Sequence, residues 1–210
     1  MRKLLFILLV VIANSIQAHV AYVKVIAPDG SESWTEATGT LDGTEFSIGK
    51  TVSKEPAISW STKGVVDLSQ CNSAADGSGT VYTVVTINKH AFYGLGISSV
   101  IIPNTVTLIQ TEAFYKCTAL EKIHIPSSVE SIYTQAFRDC IALKDITIDE
   151  GLKNLETSVF YKCESLETIK LPKSLERMGS ATFLGCTSLK SIEIPSGVKS
   201  IGSELFGECI

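Results

Sequence analysis

A 23-residue period runs through the C-terminal part of this 210-residue chain. Phenylalanine, cysteine, leucine and proline each recur at this spacing, and a leucine follows each of the first four repeated cysteines by three residues. The phenylalanines and cysteines are Phe114, Phe137, Phe160, Phe183 and Phe206, and Cys117, Cys140, Cys163, Cys186 and Cys209. Because several residue types share one period, the sequence predicts a stack of similar units, each completing the core of its neighbours.

Each unit contains two different patterns of apolar residues. In residues 122–125, polar and apolar side chains alternate, which predicts a half-buried strand that ends at Pro126. Later in the unit, Ala136, Phe137, Cys140 and Leu143 have the spacing of residues on one face of a short helix. Strand, turn and helix within 23 residues predict an α/β solenoid, a leucine-rich-repeat horseshoe. A parallel β-helix is the chief alternative, and it would require alternation in the second half of the unit as well.

The full unit reads L-x-x-I-x-I-P-x-x-V-x-x-I-x-x-x-A-F-x-x-C-x-x and resembles the BspA-type (Treponema pallidum-type) leucine-rich repeat. The resemblance covers roughly residues 80–210; the array itself is predicted to occupy 81–210, with a partial opening unit at 83–92. The copies are 97–119, 120–142, 143–165, 166–188 and an incomplete one from 189 onward. The pattern lacks its proline at Asp149 and has Val159 in place of alanine, which predicts a local irregularity.

This resemblance implies where such a chain works and what it does. Proteins with these repeats are typically surface or secreted proteins of bacteria and some protists. Several are adhesins that bind host matrix proteins or other cells. The residue spacing by itself predicts only a solenoid.

The first 18 residues have the pattern of a secretory signal peptide. Arg2 and Lys3 precede an apolar stretch at 4–13, and Ala18 is a small residue suited to the cleavage position. A membrane span needs roughly 20 apolar residues, so a retained anchor is the less favoured alternative. We therefore expect a secreted, extracellular or cell-surface protein that inserts into no membrane after cleavage.

Residues 19–80 lack the period and are predicted to form a small β-rich N-terminal cap over the first end of the solenoid. Short β-like runs occur at 21–26, 57–60 and 65–68. Residues 69–80 are rich in Ser, Ala, Asn and Gly and are predicted to be a loop. Trp34 and Trp60 are expected to lie in the core of the cap.

The repeated cysteines are predicted to be free, buried thiols rather than disulfides or metal ligands. Equivalent side chains in stacked units point in parallel, whereas a disulfide needs two that point at each other. Five is an odd number, and Cys71 is the only other cysteine. The C-x-x-C pairs typical of zinc sites are absent, so neither a metal nor a cofactor is expected.

The predicted strand face is the surface on which we expect function. Its outward side chains form two columns, Ser99, Lys122, Asp145, Thr168 and Ser191, and Ile101, His124, Thr147, Lys170 and Glu193. A third column at the start of the strands, Glu121, Lys144, Glu167 and Lys190, alternates in sign, which supports pairing between adjacent strands. The charges on this face cancel and the net charge of the chain is −4, so nucleic acid is not an expected partner.

These patterns predict a protein-binding module, adhesin-like, whose concave strand face meets a protein or cell-surface ligand, with a host matrix protein as one candidate. A structural spacer within a longer surface protein is the alternative. An enzyme is not expected, because neither G-x-S-x-G nor H-E-x-x-H occurs. A polysaccharide-active β-helical enzyme remains a remote alternative; it would need clustered carboxylates on one strand face.

Overall fold

The computed structural model describes residues 19–42, 45–49, 57–59, 61–72 and 83–209. The predicted signal peptide and Trp60 lie outside these residues, and so does the side chain of Trp34. All regular elements of the described chain are strands: β1 (His19–Ile26), β2 (Glu32–Asp42), β3 (Glu45–Ile48), β4 (Lys63–Asn72), β5 (Thr83–Ile87), β6 (Gly96–Ile101), β7 (Leu108–Ile109), β8 (Lys122–Ile125), β9 (Ser131–Ile132), β10 (Asp145–Ile148), β11 (Asn154–Leu155), β12 (Thr168–Lys170), β13 (Arg177–Met178), β14 (Ser191–Glu193) and β15 (Ser200–Ile201).

The repeats form stacked coils, which we name A (97–119), B (120–142), C (143–165), D (166–188) and E (189–209). Each coil contributes a longer strand and a two-residue strand. Equivalent strands of adjacent coils pair in parallel, 23 residues apart in the chain, except that the longer ladder is interrupted between β10 and β12. Lys122 lies opposite Asp145 in the longer ladder, and Ser131 lies opposite Asn154 in the shorter one. The strand and the 23-residue spacing predicted from the sequence are confirmed.

The helix predicted for the second half of each unit is wrong. In coil B this segment is a run of tight turns in which Gln135 and Asp139 have φ near +59°, a conformation that interrupts a right-handed helix. Its N–H groups alternate in direction. That of Ala136 donates within its own turn to the Tyr133 carbonyl, and that of Phe137 donates to the Val159 carbonyl in coil C. The fold is therefore a β-solenoid of leucine-rich-repeat type rather than an α/β solenoid.

Phenylalanine forms the centre of the core. The rings of Phe92, Phe114 and Phe137 stack with centroids 4.9 Å apart, and the column continues through Phe160, Phe183 and Phe206. All but Phe206 are fully buried. Aromatic side chains bury large apolar areas, so the continuous ring column accounts for the phenylalanine found at this position in every coil.

The strands before the repeats connect the two ladders. β1 pairs antiparallel with both β2 and β4, β4 pairs in parallel with β6, and β3 pairs in parallel with β5. Both ladders thus join in one 13-stranded sheet, while β12 and β14 form a separate pair. β1 and β4 overlap two of the predicted runs. Residues 57–59 are not a strand, however, and 69–72 belong to β4 rather than to a loop, because β4 has β1 as a pairing partner there.

Candidate protein-interaction surface

The strand face consists of the outward side chains of β6, β8, β10, β12 and β14. In β8, Lys122 and His124 are exposed while Ile123 and Ile125 are buried, and β10 repeats this alternation. The pleat therefore presents every second side chain to solvent. The structure places nine of the ten predicted residues in exposed positions: Ile101, Lys122, His124, Asp145, Thr147, Thr168, Lys170, Ser191 and Glu193.

Ser99 differs from the rest of the predicted set because it is only 8 % exposed. It lies between Val65 of β4 and Lys122 of β8 in the ladder, and its side chain is smaller than both. The sequence could not indicate this burial, because β4 lies outside the repeat and its pairing with β6 has no periodic signature.

β4 also extends the strand face beyond the repeats. Asp67 lies opposite Ile101 in the parallel ladder, and both Val65 and Asp67 are half-buried. Ile101 is 43 % exposed. It lies opposite the Asp67 carboxylate on one side, and on the other it follows the Val100–Ile123 pair, as His124 does in β8. Protein-binding surfaces have an apolar centre and a polar rim, and Ile101 with its polar neighbours has this composition.

His124 is held by a contact that sequence reasoning missed. Its Nε2 lies 2.9 Å from Oδ2 of Asp149, and both side chains are exposed to a similar degree. Asp149 directly follows Ile148, the last residue of β10, at the position where other units have proline. The sequence signal for this contact was the aspartate in place of proline, because it adds a carboxylate beside the strand face.

Two columns of charges link the coils. In the first charge column (Glu121, Lys144, Glu167, Lys190), the Lys190 ammonium donates to the Glu167 carboxylate. That hydrogen bond and the charge of Lys190, with a smaller contribution from Lys144, lower the pKa of Glu167. Pairing between the coils of this predicted column is therefore observed at Glu167 and Lys190.

The second charge column (Glu130, Lys153, Glu176, Lys199) was not noticed in the sequence. Lys153 Nζ lies 3.2 Å from Glu130, and Lys199 Nζ lies 2.7 Å from Glu176. It has the same sign as the first column in each coil, acidic in B and D and basic in C and E. The alternating charges form a second 23-residue series in the sequence. Only the ladder of two-residue strands shows that these side chains lie beside paired strands.

The repeated cysteines are free thiols, as predicted, and Cys117, Cys140, Cys163 and Cys186 are buried. Each thiol donates to a phenylalanine carbonyl in the preceding coil, for instance Cys163 to Phe137 at 3.3 Å. Burial raises the pKa of Cys117 and of Cys186 to about 12. These groups are therefore not nucleophiles near neutral pH. The side chain of Cys71 lies outside the described part of the structure.

The tight-turn side of the coils carries a different ladder. The Tyr93 and Tyr115 rings stack with centroids 5.1 Å apart, and the Arg138 guanidinium lies between the rings of Tyr115 and Tyr161, at 5.8 and 4.3 Å. These half-buried side chains cover one another's faces, so the ladder stabilises the stack. Substitutions on this side of the coils can serve as controls for substitutions on the strand face.

Within the described ranges, no group of three or more His, Cys, Asp or Glu side chains could hold a metal ion. No helix long and apolar enough to cross a membrane occurs in the same residues.

The model of the "BspA type Leucine rich repeat region" matches residues 85–210 in six copies. Among solved structures, a leucine-rich-repeat protein of T. pallidum is 30 % identical with a TM-score of 0.54, over 70 % of this chain and 60 % of that one. A leucine-rich cell surface protein of Faecalibacterium prausnitzii is 27 % identical with a TM-score of 0.60, over 82 % of this chain and 50 % of the other. The pneumococcal vaccine antigen PcpA, 24 % identical with a TM-score of 0.52 over 78 % and 49 %, shares the fold.

This chain therefore spans about half to three fifths of the length of these structures. No curated protein sequence matches it.

Proposed function

Because this chain belongs to the BspA-type leucine-rich-repeat family, we propose that it is a secreted or cell-surface protein-binding module whose strand face meets a protein or cell-surface partner. The observation that carries this proposal is the exposed row on β6, β8 and β10, in which Ile101 and His124 each follow the paired residues Val100 and Ile123. An apolar anchor surrounded by polar groups that can pair with a partner is the arrangement expected of a binding surface.

The backbone beneath this row favours recognition without rearrangement. β6, β8 and β10 are joined in register by parallel ladders, so the side chains of successive coils keep fixed spacings. The contact with Asp149 restrains the His124 ring. Side chains ordered before binding lose less conformational entropy on association, which raises affinity for a complementary partner.

The charges of the strand face favour a partner with mixed charge. Lys122 lies opposite Asp145, and Lys170 lies opposite Glu193, so adjacent strands carry opposite signs. Such a surface attracts neither a polyanion nor a polycation over its whole length. A folded protein, which carries both signs on its own surface, is a better match than nucleic acid.

The F. prausnitzii relative is described as a cell surface protein, which supports an extracellular location for this chain. An adhesin-like role, with a matrix protein or another cell as partner, is the more specific form of the proposal. Enzymatic activity forms no part of it, since the strand face offers alternating charges rather than clustered carboxylates.

The test uses the chain without its signal peptide against a panel of immobilised extracellular-matrix proteins and intact epithelial cells. A variant with Ile101→Asp, Lys122→Ala and His124→Ala is expected to bind a partner from this panel about tenfold more weakly or worse. The matched control is Lys116→Ala with Lys162→Ala, which removes two exposed lysines from the tight-turn side. Binding by the control should be unchanged.

Thermal unfolding of each variant separates recognition from stability. The proposal requires that the strand-face variant keep its melting temperature within a few degrees while it loses binding. If wild type binds the panel but both variants bind equally well, the strand face is not the binding site. A chain that binds nothing on the panel would favour the structural spacer role instead.

A further inference from the structure

Where the cap strands meet coil A, the strand face has a combination of side chains that the later coils do not repeat. Asp67 of β4 lies opposite Ile101 of β6 in the parallel ladder. Asp67 stands between the buried Val66 and Leu68, so the pleat directs its carboxylate to the outward side, as it does Ile101. At the position of Ile101, the later coils have polar residues: His124, Thr147, Lys170 and Glu193. The apolar member of this column therefore lies one strand, about 4.8 Å, from a carboxylate.

The Asp67 carboxylate is held in place but not fully used. Its Oδ1 accepts hydrogen bonds from the Ser69 backbone N–H and from the Ser69 hydroxyl, at 2.9 and 2.6 Å. Its Oδ2 accepts none within the part of the chain that the structure describes. An ionised carboxylate accepts hydrogen bonds and does not donate them, so this oxygen requires a donor. Because the carboxylate is ordered beforehand, less conformational entropy is lost when a partner supplies that donor.

The adjacent lysine does not occupy this oxygen. Lys24 of β1 lies on the other side of Asp67 in the sheet. Its ammonium, however, lies 2.7 Å from Oε1 of Glu32 and forms its ion pair there. The charges of Lys24 and Glu32 cancel, so among the described residues no ion pair neutralises Asp67.

The other side of Ile101 also has an acceptor. Ile101 and His124 each follow the paired residues Val100 and Ile123, and His124 Nε2 lies 2.9 Å from Oδ2 of Asp149. Because an ionised carboxylate only accepts, Nε2 is the donor of this hydrogen bond. In the neutral ring, Nδ1 is then an acceptor.

The charges around Ile101 are mostly negative. Asp67 and Asp149 are acidic, and Lys122, the cation on β8, lies opposite Asp145 of β10. This balance favours a positively charged group. The group must also bring apolar surface, because the side chain that it covers is an exposed isoleucine.

We propose that the junction site, formed by Asp67, Ile101 and His124, receives an arginine side chain of the protein partner. The inference rests on the proposed function and names what the strand face recognises. The arginine stem packs on Ile101, its guanidinium donates to Asp67 Oδ2, and His124 bounds the site on the opposite side.

Arginine fits better than other side chains because it combines an apolar stem with several N–H donors and no acceptor. Its guanidinium is less strongly hydrated than the lysine ammonium, so packing against Ile101 displaces less tightly bound water. Tyrosine or tryptophan would cover Ile101 but would bring no charge to Asp67.

The probe is N-acetyl-arginine methylamide, compared with the same derivatives of citrulline and lysine. Citrulline has the shape of arginine without its charge. The chain without its signal peptide carries isotope-labelled isoleucine methyl groups, and the Ile101 signal is assigned with Ile101→Val and followed by NMR during titration. We expect a saturable shift of this signal, with an affinity for the arginine probe at least about fivefold higher than for the citrulline probe. The lysine probe should lie between the two.

Asp67→Asn tests the carboxylate itself, because asparagine keeps an oxygen for the Ser69 hydrogen bonds but has no charge. This variant should bind the arginine probe no more tightly than wild type binds the citrulline probe. The matched control is Asp145→Asn, which removes an exposed carboxylate from the same face and should leave the affinity unchanged. Melting temperatures within a few degrees of wild type show that both variants are folded. The citrulline comparison uses wild type alone and needs no variant.

Equal affinity of wild type for the arginine and citrulline probes overturns the inference. So does an Ile101 signal that stays in place up to the solubility limit of the arginine probe, or an equal loss of arginine binding in Asp67→Asn and Asp145→Asn.

These outcomes are separate from those of the proposed function. If binding to a partner from the panel is weakened by the strand-face variant but not by Asp67→Asn, the strand face remains the binding surface and only the arginine contact is rejected. If the arginine probe binds as expected but nothing on the panel does, the junction site stands and the choice of partners is rejected.

Discussion

The thiol of Cys140 in coil B donates a hydrogen bond, 3.1 Å long, to the carbonyl oxygen of Phe114 in coil A. The same type of contact links Cys163 to Phe137 and Cys186 to Phe160. The Phe114 carbonyl therefore accepts two hydrogen bonds. One comes from the backbone N–H of Cys117 in its own coil, and the other comes from the thiol of Cys140 in the next coil. Phenylalanine and cysteine share one period because, in the stack, each of these cysteine thiols donates to the phenylalanine carbonyl of the preceding coil.

Replacing Cys140 with alanine should destabilise the protein. The change removes a buried sulfur from the core and leaves the second lone pair of the Phe114 carbonyl without a donor. We expect a loss of about 1–2 kcal/mol in the free energy of unfolding, measured with urea. Cys209→Ala is the matched control, since Cys209 is partly exposed and should lose less. Equal losses at the two sites would contradict a stabilising role for the buried contact.

The thiols should also make the protein sensitive to alkali. Burial raises the pKa of Cys117 to about 12 and raises the pKa of Cys140 and of Cys163 as well, so these groups stay protonated in the folded state after the unfolded chain has ionised. Their contribution is complete below about pH 9 and is lost as pH rises towards 12.

The expected loss is about 1.4 kcal/mol per pH unit for each buried thiol, seen as a falling free energy of unfolding above about pH 9. The Cys140→Ala variant should show a slope shallower by one thiol, which separates this effect from tyrosine and lysine titration. A parallel measurement is maleimide labelling at pH 8, where the four buried cysteines should react only after denaturant is added. Rapid labelling of Cys140 in the native protein would show that the interior is open.

Reversing one charge in the second column should weaken the stack. Lys153→Glu places three acidic side chains on successive coils, between Glu130 and Glu176. Because the pairs are exposed, we expect a loss of only about 1 kcal/mol, seen as a lower melting temperature. Lys153→Gln should cost less than half as much. The difference between the two variants should shrink in 1 M salt, and an unchanged difference would argue against an electrostatic cause.

Gly151 is required by the irregular turn at 149–151. Its φ is +139°, and an added Cβ would lie 2.0 Å from the Ser127 carbonyl oxygen in coil B. Gly151→Ala should therefore cost about 2–4 kcal/mol in urea unfolding. Gly197 occupies the same position of coil E, with its nearest contact at 3.0 Å, so Gly197→Ala should cost under about 1 kcal/mol. Similar losses at both glycines would mean that the close approach to Ser127 is relieved by a backbone shift.

The irregularity at Asp149 shows that side-chain contacts can take the place of a missing residue of the repeat pattern. Glu150 accepts hydrogen bonds from the N–H groups of Lys173 and Ser174 in the next coil, which lower its pKa. Asp149 pairs with His124. The sequence marked the position as unusual, but it contained no indication of which neighbours the two carboxylates would meet.

Outside the repeats, the sequence was a weaker guide. The alternation in β1 and in part of β4 was recognisable, but the strand segment 69–72 was not, because its composition is that of a loop. Residues 71 and 72 pair with β1 beyond an irregularity in the register, which keeps this segment in the strand. Pairing between segments distant in the chain leaves no periodic trace, so the burial of Ser99 beside β4 could not be anticipated either.

The sequence by itself determined the unit length, the inward residues, the parallel strand and the free thiols, since each depends on which side chains avoid water at a fixed period. Only the tertiary structure decided the backbone conformation of the A-F-x-x-C segment. The spacing of Ala136, Phe137 and Cys140 suits a helix and a chain of tight turns equally well, because both direct these side chains to the core. Tight turns form because they allow the Phe137 N–H to donate to the Val159 carbonyl in the next coil. In a helix, the same N–H would donate to a carbonyl within the helix itself.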